Sequence, residues 1–108
     1  MQIDVQSRGF SLTHALQHAV EDEAQLYAAR CPRNLAAIRV RLFDTNGPRG
    51  GNDKGCLVQA HLNNHRRSVV ASHVDADLYR AIAAAFVKLE RGTRSALGSR
   101  RLHRRAFN

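Results

Sequence analysis

Four cations in the last third of the chain, Arg80, Lys88, Arg91 and Arg94, are spaced to line one side of a helix. At about 100° per residue they fall within an arc of roughly 120°. Leu78, Ile82, Ala85, Phe86, Leu89 and Ala96 fall on the other side. The chemistry open to such a row is phosphate neutralisation, because guanidinium and ammonium groups displace the counterions condensed on a polyanion. A plain solvated helix face would mix its signs, but the only acid after Asp77 is Glu90. A second set, Arg39 and Arg41, alternates with Ile38, Val40 and Leu42, which puts both arginines on the outer side of a strand. Phe43 in the same outer set either packs across strands or stacks on a base. Lys54, Arg66 and Arg67 lie at strand ends and turns, and Arg100, Arg101, Arg104 and Arg105 form a basic tail. The candidate polyanion-binding residues are therefore Arg39, Arg41, Lys54, Arg66, Arg67, Arg80, Lys88, Arg91, Arg94, Arg100 and Arg101.

Other chemistry is less well supported. His14 and His18 have the i, i+4 spacing that grips a metal, but no Glu follows His14 and no third ligand stands nearby in sequence. The glycine-rich stretch from Gly47 to Lys54 invites comparison with a phosphate-cradling loop, yet no Gly-Lys-Ser/Thr follows and the next element reads as a strand. It reads instead as a hairpin loop whose Arg49 and Lys54 can touch phosphate. Cys31 and Cys56 stand alone and far apart, so they are expected to be reduced, with Cys56 in a strand and facing a core, a poor setting for a nucleophile. No carboxylate pair marks a cleft. The residues predict no enzyme, no metal and no cofactor.

The charge balance agrees with a polyanionic partner. The 108 residues carry a formal charge of +8, with 17 Lys and Arg against 9 Asp and Glu. Residues 1–74 hold 9 basic and 6 acidic groups, and residues 75–108 hold 8 basic and 3 acidic, so the excess concentrates at the end. Arg dominates the cations, which suits bidentate contact with phosphate and stacking on bases. No stretch approaches the roughly 20 apolar residues of a membrane span, and the first residues do not read as a signal peptide. A cytoplasmic location is expected.

The elements that must hold these cations follow from periodicity. Gln2–Ser7 alternates as a short strand, Arg8-Gly9 turns the chain, and Ser11 or Thr13 caps a helix running to Arg30 before Pro32. Its outer face carries Glu21, Asp22 and Glu23. Strands are predicted at Leu35–Asp44, Cys56–Leu62 and Arg66–Val74, the last with either Val69, Ala71 and His73 or Val70, Ser72 and Val74 facing inward. Asp75 or Asp77 starts a second helix expected to be firm to about Arg91 and to fray beyond Gly92. The order β-α-β-β-β-α predicts an α+β fold: a two-layer sandwich with a four-stranded mixed sheet and both helices on one face. The last three strands should form an antiparallel meander with the first strand parallel to its neighbour. A single domain over residues 1–98 with a flexible basic tail over 99–108 is expected.

Read together, these stretches resemble the ribosome hibernation promoting factor and ribosome-associated inhibitor family, also described as sigma-54 modulation or ribosomal subunit interface proteins. Met1-Gln-Ile-Asp-Val and Leu12-Thr13-x-Ala15-Leu16 look like its first strand and helix start. Asp77-Leu-Tyr79-x-Ala81-Ile82 with Lys88-Leu89-x-Arg91 is similar to its second-helix signature, and Asn46–Cys56 looks like a longer variant of its hairpin. The resemblance implies a non-enzymatic translation inhibitor that binds rRNA of the small ribosomal subunit in the mRNA and tRNA channel and preserves idle ribosomes under stress or in stationary phase. It carries rRNA contacts onto Lys88 and Arg91 directly and onto Arg94 by continuation of the helix. First-helix lysines common in the family are replaced here by Glu21, Asp22, Glu23 and Gln25, so contacts from that helix do not carry over. It further implies a short form without the C-terminal dimerisation domain of long members, monomeric when free. The alternative is a general double-stranded RNA-binding module, but such modules begin a helix with basic residues, and here Asp75 and Asp77 stand at that point. A small hydrolase or metal protein built on His14, His18 or Cys56 is the third reading.

Overall fold

The computed structural model describes residues 2–31, 35–44, 53–62 and 68–107, with side chains described as far as Ser95. The elements are β1 (Gln2–Arg8), α1 (His14–Arg30), β2 (Leu35–Asp44), β3 (Lys54–Leu62), β4 (Ser68–Asp75) and α2 (Leu78–Phe107). They form the expected α+β fold, with one four-stranded sheet in the order β1-β2-β3-β4. β1 runs parallel to β2, and β2, β3 and β4 are antiparallel neighbours. Gly9 turns the chain out of β1 at φ +93°, where a Cβ would also press within 3.0 Å of the Asp44 carbonyl oxygen.

Alternation along the strands builds the core. Ile38, Val40 and Leu42 of β2 and Cys56, Val58 and Ala60 of β3 are buried, with Ile3 and Val5 of β1 packed against them. Val69 and Ala71 join this layer while Val70 and Val74 are exposed, which resolves the inward set of β4 in favour of Val69, Ala71 and His73. Register explains the choice: Ala71 lies opposite buried Val58, and Val69 opposite buried Ala60. The same layer receives Leu16, Val20, Ala24 and Tyr27 from α1 and Ala81, Ile82, Ala85, Phe86 and Leu89 from α2. Both helices therefore lie on one face of the sheet. Each large aliphatic side chain buried there contributes about 1.5–3 kcal/mol.

The caps match their sequence signals. The Leu16 N–H donates to Thr13 Oγ1 at 3.2 Å, so Thr13 rather than Ser11 starts α1. The Tyr79 N–H donates to Asp77 Oδ1 at 2.9 Å, and the Asp77 N–H to Asp75 Oδ1 at 3.0 Å, so both acids prepare the start of α2. The hydrogen bond from the Asp77 N–H holds the Asp75 carboxyl below its usual range.

The far end of α2 departs from expectation. The helix continues past Gly92 and Gly98 to Phe107, instead of fraying after Arg91. Packing offsets the cost of Gly92, roughly 1 kcal/mol relative to Ala. A Cβ there would come 3.2 Å from Val69 Cγ1, so glycine lets the helix approach β4 closely. One residue on, buried Thr93 donates to the Leu89 carbonyl at 2.8 Å. Its hydroxyl proton being used, Thr93 accepts from the Tyr27 hydroxyl at 2.7 Å. This relay fixes α1 to α2 beside Gly92, with the Tyr27 ring edge-on to Phe86 at 6.5 Å. At 1.5 Å per residue a 30-residue helix spans about 45 Å, well beyond the ~26 Å of an eight-residue strand. The long dimension of 55 Å reflects that overhang.

Tyr27→Phe and Thr93→Val should each cost about 1 kcal/mol in urea denaturation, and the double variant less than the two costs added together. Full additivity would show that the relay does not couple the helices.

Candidate nucleic-acid interface

The apolar face of α2 is fixed by Ala81, Ile82, Ala85, Phe86 and Leu89, so its outer crest consists of Arg80, Val87, Arg91 and Arg94, all exposed. The row predicted from spacing is present, but its members differ. Arg91 is exposed, and Arg80 approaches Asp77 only at 3.9 Å with its side chain 76% exposed. Lys88 lies on the flank rather than the crest, where its ammonium donates to the Ser72 carbonyl of edge strand β4 at 3.3 Å. Arg94 donates to Glu90 Oε1 at 2.8 Å.

The opposite side of the molecule is the open face of the sheet. Parity places Arg8 of β1 and Arg39, Arg41 and Phe43 of β2 on it, and the three arginines are exposed. Phe43 lies across bare Gly55 of β3, where a Cβ would fall onto the ring. Of the two readings of Phe43, cross-strand packing is thus its role in this structure. Glycine is required at position 55 to admit the ring.

Lys54 is less available than its sequence position implied. It sits 3.5 Å from Asp53 and 3.8 Å from Asp44, with only 29% of its side chain exposed. Two carboxylates beside one ammonium leave little positive field for a phosphate. Arg66 and Arg67 lie outside the described residues, as do Arg49 and most of the glycine-rich loop. Arg100 and Arg101 fall in the overhanging part of α2, with side chains outside the description.

Two cations escaped the sequence reading. Arg8 reads in the sequence as part of a turn, yet extending the Gln2, Asp4, Gln6 alternation by one step places it on the open face. Arg30 closes α1, an otherwise acidic helix, and comes within 3.8 Å of Glu90. No local sequence signal marks that meeting, since it depends on how the two helices pack.

The remaining reactive groups are placed differently. Cys56 is fully buried, and burial pushes its thiol up to about 12, so it is neutral at physiological pH. Burial also raises the Cys31 thiol, assisted by the Glu90 carboxylate. His14 and His18 are both exposed on α1, and among the described residues no group of three metal-ligating side chains forms. No described helix is long and apolar enough to cross a membrane.

Comparison with known proteins fits this geometry. The family model described as sigma 54 modulation protein / S30EA ribosomal protein matches residues 3–101. The chain belongs to this family. No curated protein matches the sequence. Among solved structures, a ribosomal subunit interface protein from Coxiella burnetii is similar at a TM-score of 0.74 and 16% identity, covering 91% of this chain and 99% of that one. The Thermus thermophilus Protein Y N-terminal domain is similar at a TM-score of 0.70 and 26% identity, covering 87% and 98%. The description of the family itself names a ribosomal protein.

Thiol titration of the native protein should leave Cys56 unmodified until the chain unfolds, because the sulfur is sealed beneath α2. Rapid reaction of both cysteines under native conditions would contradict the buried placement.

Proposed function

We propose that this protein binds rRNA of the small ribosomal subunit in the channel used by mRNA and tRNA, and so holds ribosomes in an inactive, hibernating state under stress or in stationary phase. One observation carries the reading: exposed cations occupy two opposed faces of a thin slab. The crest of α2 presents Arg80, Arg91 and Arg94, and the open sheet presents Arg8, Arg39 and Arg41. The molecule is only 25 × 20 Å in its shorter dimensions. A channel walled by phosphate meets both faces at once. A duplex docked on one side would leave the other basic face unused, which weighs against a general double-stranded RNA module. Membership of the sigma 54 modulation / S30EA family and likeness to a ribosomal subunit interface protein support the choice of ribosome as partner.

The mechanism is occupancy rather than turnover. Phosphate contacts position the protein, counterion release supplies affinity, and the packed core keeps the two faces at a fixed separation. The protein acts in the cytoplasm as a monomer, stoichiometric with ribosomes and without a cofactor. Arg100 and Arg101, in the overhanging part of α2, add affinity without creating the site. Lys54, at the start of β3, contributes at the margin of the site, and Arg66 and Arg67 follow β3 in the sequence as further phosphate contacts.

Lys88→Glu combined with Arg91→Glu should lower affinity for small subunits by at least about 10²-fold while leaving the circular dichroism spectrum unchanged. Raising salt about fourfold should weaken the wild type by roughly 10² to 10⁴, the cost of five to eight phosphate contacts. Normal pelleting of the folded double variant with ribosomes would sink the proposal.

Deleting residues 99–108 should weaken inhibition of cell-free translation without abolishing it. Complete loss would move the centre of the site from the slab to the overhang.

A further inference from the structure

We propose that Arg30 and Arg94, brought together from the two helices, form a receptor for one RNA phosphate, and that Glu90 fills this receptor in the free protein as a built-in competitor. The inference rests on the RNA-binding reading above and assigns one of its contacts.

The two arginines are 64 residues apart in sequence and meet only because α1 and α2 pack side by side. The Tyr27–Thr93–Leu89 relay sets that packing, fixing the last turn of α1 against the middle of α2. Arg30 Nη1 lies 3.8 Å from Glu90 Oε2, and Arg94 Nη2 lies 2.8 Å from Glu90 Oε1. Each guanidinium thus addresses a different oxygen of one carboxylate. That is the arrangement by which two arginines would share the oxygens of one phosphate. The acid is the sunken member, its side chain 17% exposed against 60% for Arg30 and 68% for Arg94. Both arginines can turn outward to a ligand while the carboxylate remains below.

The charge count gives the direction of the effect. Two guanidinium groups stand against the Glu90 carboxylate, and Glu23 of α1 also acts on Arg30, so the charge open to a phosphodiester is that of the two arginines once they turn outward. Glu90 must nevertheless give up its hydrogen bond from Arg94 and then face the phosphate from below. Both costs lower the affinity, which keeps binding reversible. The site also gives the acidic helix α1 one contact with RNA at its last turn, where Glu23 is the α1 acid that acts on Arg30.

The test uses small ribosomal subunits stripped of mRNA and tRNA as the probe, with binding of the full chain measured at two salt concentrations. Glu90→Gln should tighten binding about three- to tenfold, and Arg30→Ala should weaken it by a similar factor while flattening the salt slope by about one phosphate contact. The Arg30→Ala penalty should be larger in the Glu90→Gln background, where no competitor holds the arginine. Thermal denaturation checks that both variants keep the wild-type fold, and Arg30→Lys serves if Arg30→Ala proves unstable, with a smaller loss expected. Unchanged or weaker binding by folded Glu90→Gln, or a neutral Arg30→Ala, overturns the receptor. The Lys88→Glu, Arg91→Glu variant separates this from the broader reading. If it loses binding while the Arg30 and Glu90 variants are neutral, only the receptor falls; if all bind as wild type, both fall.

Discussion

The structure depends on one buried apolar layer, closed from below by the sheet and from above by two parallel stripes of helix. Ile38, Leu42 and Val58 meet Val20, Ile82 and Leu89 there, all of them fully or nearly fully buried. A charge placed in that layer would be costly to desolvate, so the arginines of the described strands and helices lie on outer surfaces. The same exclusion that makes the core leaves arginines exposed on both the open sheet and the crest of α2. The two faces are held a constant distance apart, because the layer between them is packed like a solid and does not compress.

Within that frame, small local choices set which cations are free. Lys88 is drawn to the edge of β4 and covers the Ser72 carbonyl, an edge group that would otherwise be open to strand pairing. Lys54 is held between acids at the start of β3. Arg91, on the crest, and Arg39 and Arg41, on the open face, keep exposed positions. The long α2 needs a reason to pass Gly92, and the Tyr27 hydroxyl supplies one by tying Thr93 to the neighbouring helix.

Much of this was legible in the sequence. Period-two alternation through Ile38, Val40 and Leu42 and the stripe from Leu78 to Leu89 identify the inner faces without ambiguity, and the outer arginines follow by subtraction. Ala71 and Val69 could not be chosen over Val70 and Val74 from periodicity, since both sets are apolar, and only register against β3 decides. The extension of α2 was missed because Gly92 and Gly98 lower local propensity, whereas the Thr93 contact that rescues the helix comes from 66 residues away. For the same reason, Arg30 was invisible as a site residue: its place beside Glu90 is a product of tertiary packing, as is the loss of Lys54 to its acidic neighbours.

The central claim is that a two-faced basic slab occupies the decoding channel in place of its natural RNA ligands. The most direct measurement is initiator tRNA binding to vacant small subunits titrated with this protein. Occupancy should fall linearly and reach a floor near one protein per subunit, and excess tRNA and mRNA should displace the protein. Undiminished tRNA binding at saturation, or inhibition complete at far fewer proteins than subunits, would contradict the account.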